Sequence, residues 1–275
     1  MLPLFLLATK FYEKYFFLLI AIIYHVSYAQ EGIVYYEFTN AIGVGGGNGE
    51  VYNAYAMFSK DKSYYVVAKD SLENAVSLSK AKSHYQNSNG NYNKISNGLI
   101  LSPQGEQVVC DYGKKILYSN ILDGKQIYVS EMLPKFSWKI TKQKKKIGSF
   151  DCVLANTTFR GRKYYAWYAP EIAVYSGPWK LNGLPGMILE AYDEGKNVMW
   201  NFKSYKFPIT VKQDYTIRKG KNSKKVKFLS LDEFKIYCST KIEKDYDRAI
   251  LIAKNYPGMT PIKEPMASYY LESFE

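Results

Sequence analysis

At 275 residues, with a formal net charge of +12 and only two histidines, the chain is basic and poor in metal ligands. So positive a surface favours anionic neighbours such as lipid headgroups, polysaccharide or nucleic acid. So few imidazoles leave little room for a zinc design, and no His-Glu-x-x-His helix is present, so neither a metal nor another cofactor is expected.

The first segment reads as an export signal. Lys10 and Lys14 precede an apolar run from Tyr15 to Val26, and Ser27-Tyr28-Ala29 then places small residues at both positions that a signal peptidase reads. Cleavage is expected before Gln30, which makes residues 1–29 a signal peptide and residues 30–275 a single β-rich domain. The run is about a dozen residues long, short of the roughly 20 that a membrane-spanning helix needs, and no later stretch approaches that length. No transmembrane segment is therefore expected after cleavage. Loss of Lys10, Glu13 and Lys14 takes the charge from +12 to +11. The excess sits largely in TKQKKK (141–146) and RKGKNSKKVK (218–227), which read as solvated hairpin tips or linkers. Neither is interleaved with aromatics as a stacking platform would be, and nucleic acid is not an expected partner outside the cytoplasm.

From Gly32 onward the dominant period is two. Residues 33–38, 51–58 and 63–67 mix tyrosine with β-branched residues between turn formers, the pattern of strands with one buried face. The glycine-rich stretch 43–49 between the first two lacks the Gly-Lys-Ser/Thr of a phosphate loop and is followed by a strand rather than a helix, so it reads as a hairpin loop. Further strands are expected at 107–111, 115–119, 126–130, 136–141, 150–159, 163–168, 187–192 and 197–207. Asp123-Gly124 and Glu194-Gly195 read as hairpin turns.

One segment departs from this period. Ser230 followed by Glu233 forms a capping box, and Phe234, Cys238, Ile242, Ile250 and Leu251 then recur at helical spacing, so one long helix is expected over 231–255, lying on a sheet. The expected architecture is a single antiparallel sheet, strongly curved or a half-barrel, with this C-terminal helix packed on it.

Cys110, Cys152 and Cys238 remain after export to an oxidising compartment. Cys110 and Cys152 fall in expected strands and are the favoured disulfide pair, with Cys238 buried on the helix as a thiol. His84 lies in the polar stretch 79–93, which reads as a loop, so a Cys-His dyad is not favoured. No Gly-x-Ser-x-Gly elbow is present, and Asp193-Glu194 sits at a turn without a partner, so no catalytic residue is assigned.

Residues 136–205 carry Ile147-Gly148, Cys152, Arg160-Gly161-Arg162, Ala166-Trp167-Tyr168, Glu171-Ile172, Gly177-Pro178 and Gly183-Leu184-Pro185-Gly186-Met187-Ile188. In order and spacing these resemble the GLPGLI family of exported Bacteroidetes proteins, closely over the middle quarter of the chain and loosely in the other strands. Met187 replaces that family's usual leucine, and Ala173 stands where proline often follows Glu-Ile. The resemblance implies no activity. It implies a location in the cell envelope, periplasmic or at the outer membrane, and association with outer-membrane uptake systems.

Pro185 presets φ for the second position of a turn and Gly186 supplies the positive φ that a type II turn needs next, so Gly183, Pro185 and Gly186 read as a strand-entry turn. The rival reading is a surface loop that touches a ligand through Trp179, Leu184, Pro185 and Gly186, with Trp167 nearby. For function the leading expectation is a non-enzymatic binding or carrier module for an apolar or polymeric ligand such as envelope lipid or polysaccharide. The alternatives are an accessory subunit of an outer-membrane transporter or secreted protease, and a hydrolase whose acids come from scattered strands.

Overall fold

The computed structural model describes residues 31–42, 49–68, 105–123, 126–210, 213–219 and 227–274. The signal segment, the glycines at 43–48, Gly124, the stretch containing His84 and most of the second basic run (220–226) lie outside the described residues.

Among the described residues twelve strands form one sheet: β1 (Gly32–Asn40), β2 (Glu50–Phe58), β3 (Lys62–Ala68), β4 (Gln107–Asp111), β5 (Ile116–Leu122), β6 (Gln126–Met132), β7 (Lys139–Ile147), β8 (Phe150–Phe159), β9 (Arg162–Ala169), β10 (Met187–Asp193), β11 (Val198–Lys206) and β12 (Phe228–Ser230). Their order across the sheet is β12-β6-β5-β4-β3-β2-β1-β11-β10-β9-β8-β7. Alternation dictates the faces: in β1, Val34, Tyr36 and Phe38 are buried while Tyr35 and Glu37 are half-exposed.

Two expectations about the sheet need correction. It is mostly antiparallel, but β12 runs parallel to β6. It is also open and not strongly curled, so no half-barrel forms. Closure would require its edges, β12 and β7, to pair, yet β12 has three residues and β7 carries a register break between Ile140 and Lys144.

The basic run at 141–146 is a third correction, because it lies inside β7 rather than at a hairpin tip. Lysines are tolerated there because β7 is an edge strand with β8 as its one neighbour. Charged side chains on such an edge block pairing with another chain.

The helix α1 spans Leu231–Ala253, with the expected capping box: Ser230 Oγ accepts the Glu233 N–H at 3.2 Å, and Glu233 Oε2 accepts the Ser230 N–H at 2.8 Å. Phe234, Cys238 and Ile242 pack on Ile127 and Val129 of β6 together with Met266 and Tyr270. Ile250 and Leu251, expected on the same stripe, are instead exposed. At 1.5 Å per residue the helix is about 35 Å long, whereas seven-residue β6 spans about 23 Å, so the helix outruns its support.

The main core lies on one face of the sheet and is closed by the segment between β9 and β10, whose Ile172, Val174, Trp179, Leu181 and Leu184 pack onto Phe58, Leu117, Tyr164 and Trp200. Here the turn differs from expectation. The Gly186 N–H donates to the Leu184 carbonyl at 2.8 Å, closing a three-residue γ-turn around Pro185 rather than a type II turn. Glycine is required at 186 for a steric reason, since a Cβ there would stand 2.3 Å from the Ala169 carbonyl oxygen and 2.9 Å from Pro170 Cα, with φ at 155°. Gly186→Ala should therefore force β9 and β10 apart where Met187 pairs with Ala169. The expected loss is about 3 kcal/mol, the upper end of overpacking costs, read by urea denaturation. A variant as stable as the parent would remove this account of the glycine.

Candidate binding site

Trp179 and Lys180 sit at the corner of that plug. Trp179 takes a left-handed conformation (φ 53°) that a tryptophan adopts only when its surroundings over-determine it. The surroundings are aromatic: its ring stacks on Trp200 at 6.0 Å and 14°, and meets Phe159 and Tyr164 at the same centroid distance. The turn of backbone that seats the indole also carries Lys180 inward, where its side chain is 2% exposed.

The Lys180 ammonium donates to Glu131 Oε1 of β6 at 2.7 Å and to both carboxylate oxygens of Glu272 at 2.9 and 2.8 Å. Arg160, in the β8–β9 turn, forms ion pairs with the same two carboxylates. Two cations thus face two anions in a buried, charge-balanced cluster. Burial by itself pushes the Glu131 carboxyl up, but Lys180 and Arg160 outweigh it and hold it below the usual carboxylate range. The cluster thus joins elements far apart in the sheet order, β6 near one edge and the β8–β9 turn near the other.

The cluster anchors the C-terminal segment. Arg162 of β9 donates to the carbonyls of Leu271, Tyr270 and Ala267 and pairs with Asp193 at 3.2 Å, while the Ser273 N–H donates to the Arg160 carbonyl. Tyr270, so held, donates to Asp123 Oδ2 at 2.8 Å, alongside Tyr237 at 3.0 Å and Lys241 of α1 at 2.7 Å. Burial raises the Asp123 carboxyl, and these three donors reverse the effect, leaving it below its ordinary value.

Between the sheet face, the Trp179–Lys180 corner, α1 and the anchored C-terminal segment lies a cavity of about 190 Å³. Phe38, Tyr65, Val108, Trp179, Trp200 and Phe234 supply its apolar lining, and Ser119, Asn120, Asp123, Lys180, Lys241 and Glu272 its polar lining. Ser119 is 1% exposed, yet its Oγ has no hydrogen-bond partner among the described residues. A buried hydroxyl left unpaired is costly, and such groups in native folds call for an explanation.

Of the residues singled out from the sequence, Trp179 lines this cavity; Trp167, Leu184, Pro185 and Gly186 do not. Leu184 is buried in the core, while Pro185 and Gly183 are exposed. Trp167 is nearly buried and lies under the Lys145 ammonium at 4.7 Å. Cys110 and Cys152 are free thiols in this structure, as is Cys238, so the expected bridge is not formed. The pair belongs to β4 and β8, which six other strands separate in the sheet order. Burial pushes the Cys110 and Cys238 thiols up to about 12 and Cys152 to about 11, which leaves all three protonated at neutral pH. Among the described residues no cluster of His, Cys, Asp and Glu could hold a metal ion, and no helix is long and apolar enough to cross a membrane.

The class defined by these features is a mainly β protein with a polar-aromatic cavity on one face of its sheet. A family described as "Protein of unknown function (Porph_ging)" matches residues 158–190, which run from the end of β8 through the Trp179–Lys180 corner and the γ-turn into β10. No curated protein matches the chain. Two solved structures of PNGF-II, one in space group P21 and one in C2, are similar at 15% and 16% identity, each with a TM-score of 0.48, over 75% of this chain and 32% of theirs. The chain spans about a third of the length of those solved chains.

Proposed function

We propose that this is an exported, non-enzymatic binding or carrier module of the GLPGLI type, working in the cell envelope with the cavity beside Trp179 as its site. The observation that carries the reading is the buried, unpartnered Ser119 hydroxyl in a cavity lined by aromatic rings. The size of the cavity narrows the ligand. Sites for drug-sized molecules run to roughly 300–1,000 Å³, so about 190 Å³ suits a small molecule or the tip of a polymer rather than a lipid acyl chain. Two of the three carboxylates that line it, with Glu131 behind them, speak against hydrolysis. Glu131, Glu272 and Asp123 are each held by cations, which makes them fixed charges rather than a proton donor and base.

Native mass spectrometry of protein purified from envelope fractions, followed by denaturation and identification of what is released, tests this reading. A small or polymeric ligand is expected, and Ile121→Trp, which puts a larger side chain into the cavity lining, should abolish its capture. Release of a fatty acid, or capture unaffected by Ile121→Trp, would overturn it.

A second reading has its own observation. Ile250, Leu251, Ile252, Tyr256, Met259 and Ile262, at the end of α1 and beyond, are exposed apolar side chains. Such a surface fits the accessory-subunit alternative, in which this end of the molecule docks on an outer-membrane transport protein or a secreted protease.

A further inference from the structure

The hydrogen-bonding capacity left over in the cavity is one-sided. Ser119 Oγ is unpaired among the described residues. Tyr65 Oη accepts the Trp200 indole N–H at 2.8 Å, which leaves its own proton without an acceptor among the described residues. Asn40 uses Oδ1 to accept the Ile42 N–H at 3.1 Å, and its amide N–H groups have no acceptor among the described residues. Register places two of these on one line: Tyr65 of β3 faces Val108 of β4, and Val108 faces Ser119 of β5. The two hydroxyl residues therefore rise from the same face two strands apart, about 10 Å between backbones. Asn40 stands half-buried at the end of β1, beside Ile42 on the same cavity wall.

The cations, by contrast, are spent. Lys180 and Glu272 neutralise each other with Arg160 and Glu131, Lys241 is paired with Asp123, and Glu106 accepts the Leu122 N–H at 3.2 Å. An anionic ligand would meet no uncommitted cation among the described residues, while the Glu106 carboxylate adds one acceptor to the lining. Phe38, Trp179, Trp200 and Phe234 complete the lining with apolar surface.

Resting on the reading of this cavity as the binding site, we propose that its ligand is an uncharged ring rich in hydrogen-bond acceptors, the single sugar unit at the end of a neutral glycan. A pyranose meets both demands. Its C–H face packs on aromatic rings, while its hydroxyl and ring oxygens accept from Ser119, Tyr65 and Asn40. The cavity volume of about 190 Å³ admits one ring and not a run of several.

The test titrates the purified protein with methyl glucoside, methyl galactoside and methyl N-acetylglucosaminide, and with glucuronate and glucosamine as anionic and cationic counterparts. Tryptophan fluorescence and calorimetry give the readout, Trp179 and Trp200 both lining the cavity. At least one neutral glycoside should bind saturably and at least tenfold more tightly than either charged sugar. Ser119→Ala, which deletes an oxygen with no partner among the described residues, should leave the melting temperature unchanged or raise it and weaken that binding about tenfold, the worth of one hydrogen bond. Preference for a charged sugar, weakened by Ser119→Ala, would overturn the neutral-glycan proposal and leave the cavity standing as the site. No saturable response to any sugar, or a response indifferent to Ser119→Ala, would also overturn it. The reading of the cavity as the site would then fall only if Ile121→Trp also left capture of envelope material unchanged.

Discussion

Trp179→Ala should unfold the protein at a markedly lower temperature. The indole is 7% exposed and sits among Trp200, Phe159 and Tyr164, so its truncation opens a cavity beneath the sheet-covering segment. Buried aromatic truncations cost about 3–5 kcal/mol, and a domain of this size loses roughly 2–4 °C per kcal/mol, which predicts a drop on the order of 10 °C by calorimetry. The backbone adds a discriminating comparison. Residue 179 has φ 53°, where alanine still pays the left-handed penalty and glycine does not. Trp179→Gly should therefore be about 1 kcal/mol more stable than Trp179→Ala, although glycine is the smaller and more flexible residue. If alanine were the better replacement, the backbone would have relaxed out of this conformation and the ring would not be what holds it there. A melting temperature within a degree or two of the parent would mean that Trp179 does not pack as described.

Much of the scaffold was readable because its signals are local. Alternation located β4 and β8 to the residue, and Ser230 with Glu233 marked the start of α1. The failures are mostly places where a neighbour distant in sequence decides. The lysines of 141–146 look like a solvated tip until β8 is seen on one side of them and no strand on the other. Ile250 and Leu251 look like a continuation of the apolar recurrence, but at about 100° per residue they turn well over 100° away from the Phe234–Cys238–Ile242 stripe that packs on β6. The candidate site was legible in one residue. Trp179 was drawn from the aromatics flanking the turn, whereas Ser119, Tyr65 and Asn40 carry no local mark and become a group only through strand register. Lys180 did carry a mark that could have been used: it stands between Trp179 and Leu181 in an otherwise apolar stretch. A lone lysine there needs buried carboxylates, though nothing local points to Glu131 and Glu272, which lie 49 and 92 positions away.

Lys180→Met tests that cluster where its effect is largest. The substitution roughly conserves volume but leaves Glu131 and Glu272, whose side chains are 2% and 4% exposed, with Arg160 as their remaining cation. Removing one partner from a buried ion cluster costs about 3–5 kcal/mol at neutral pH, because the uncompensated charge stays out of water. The sign of the pH dependence then identifies the source of the loss. In the parent, Glu131 is held below its ordinary range, so its contribution to stability is present above the unfolded value of about 4.3 and is lost as pH falls through the folded value. In the variant one of the two compensating cations is gone and burial pushes the carboxyl upward instead. Protonation then relieves the strain, and the variant gains stability relative to the parent as pH falls from 7 towards 5. Urea titrations across that range should show the gap between the two proteins narrowing. The double variant Lys180→Met with Glu272→Gln restores charge balance, with Arg160 facing Glu131, and should be more stable at pH 7 than the sum of its single losses by at least about 1 kcal/mol. A gap that stays constant with pH, together with strict additivity, would assign the loss to packing around residue 180 rather than to its charge.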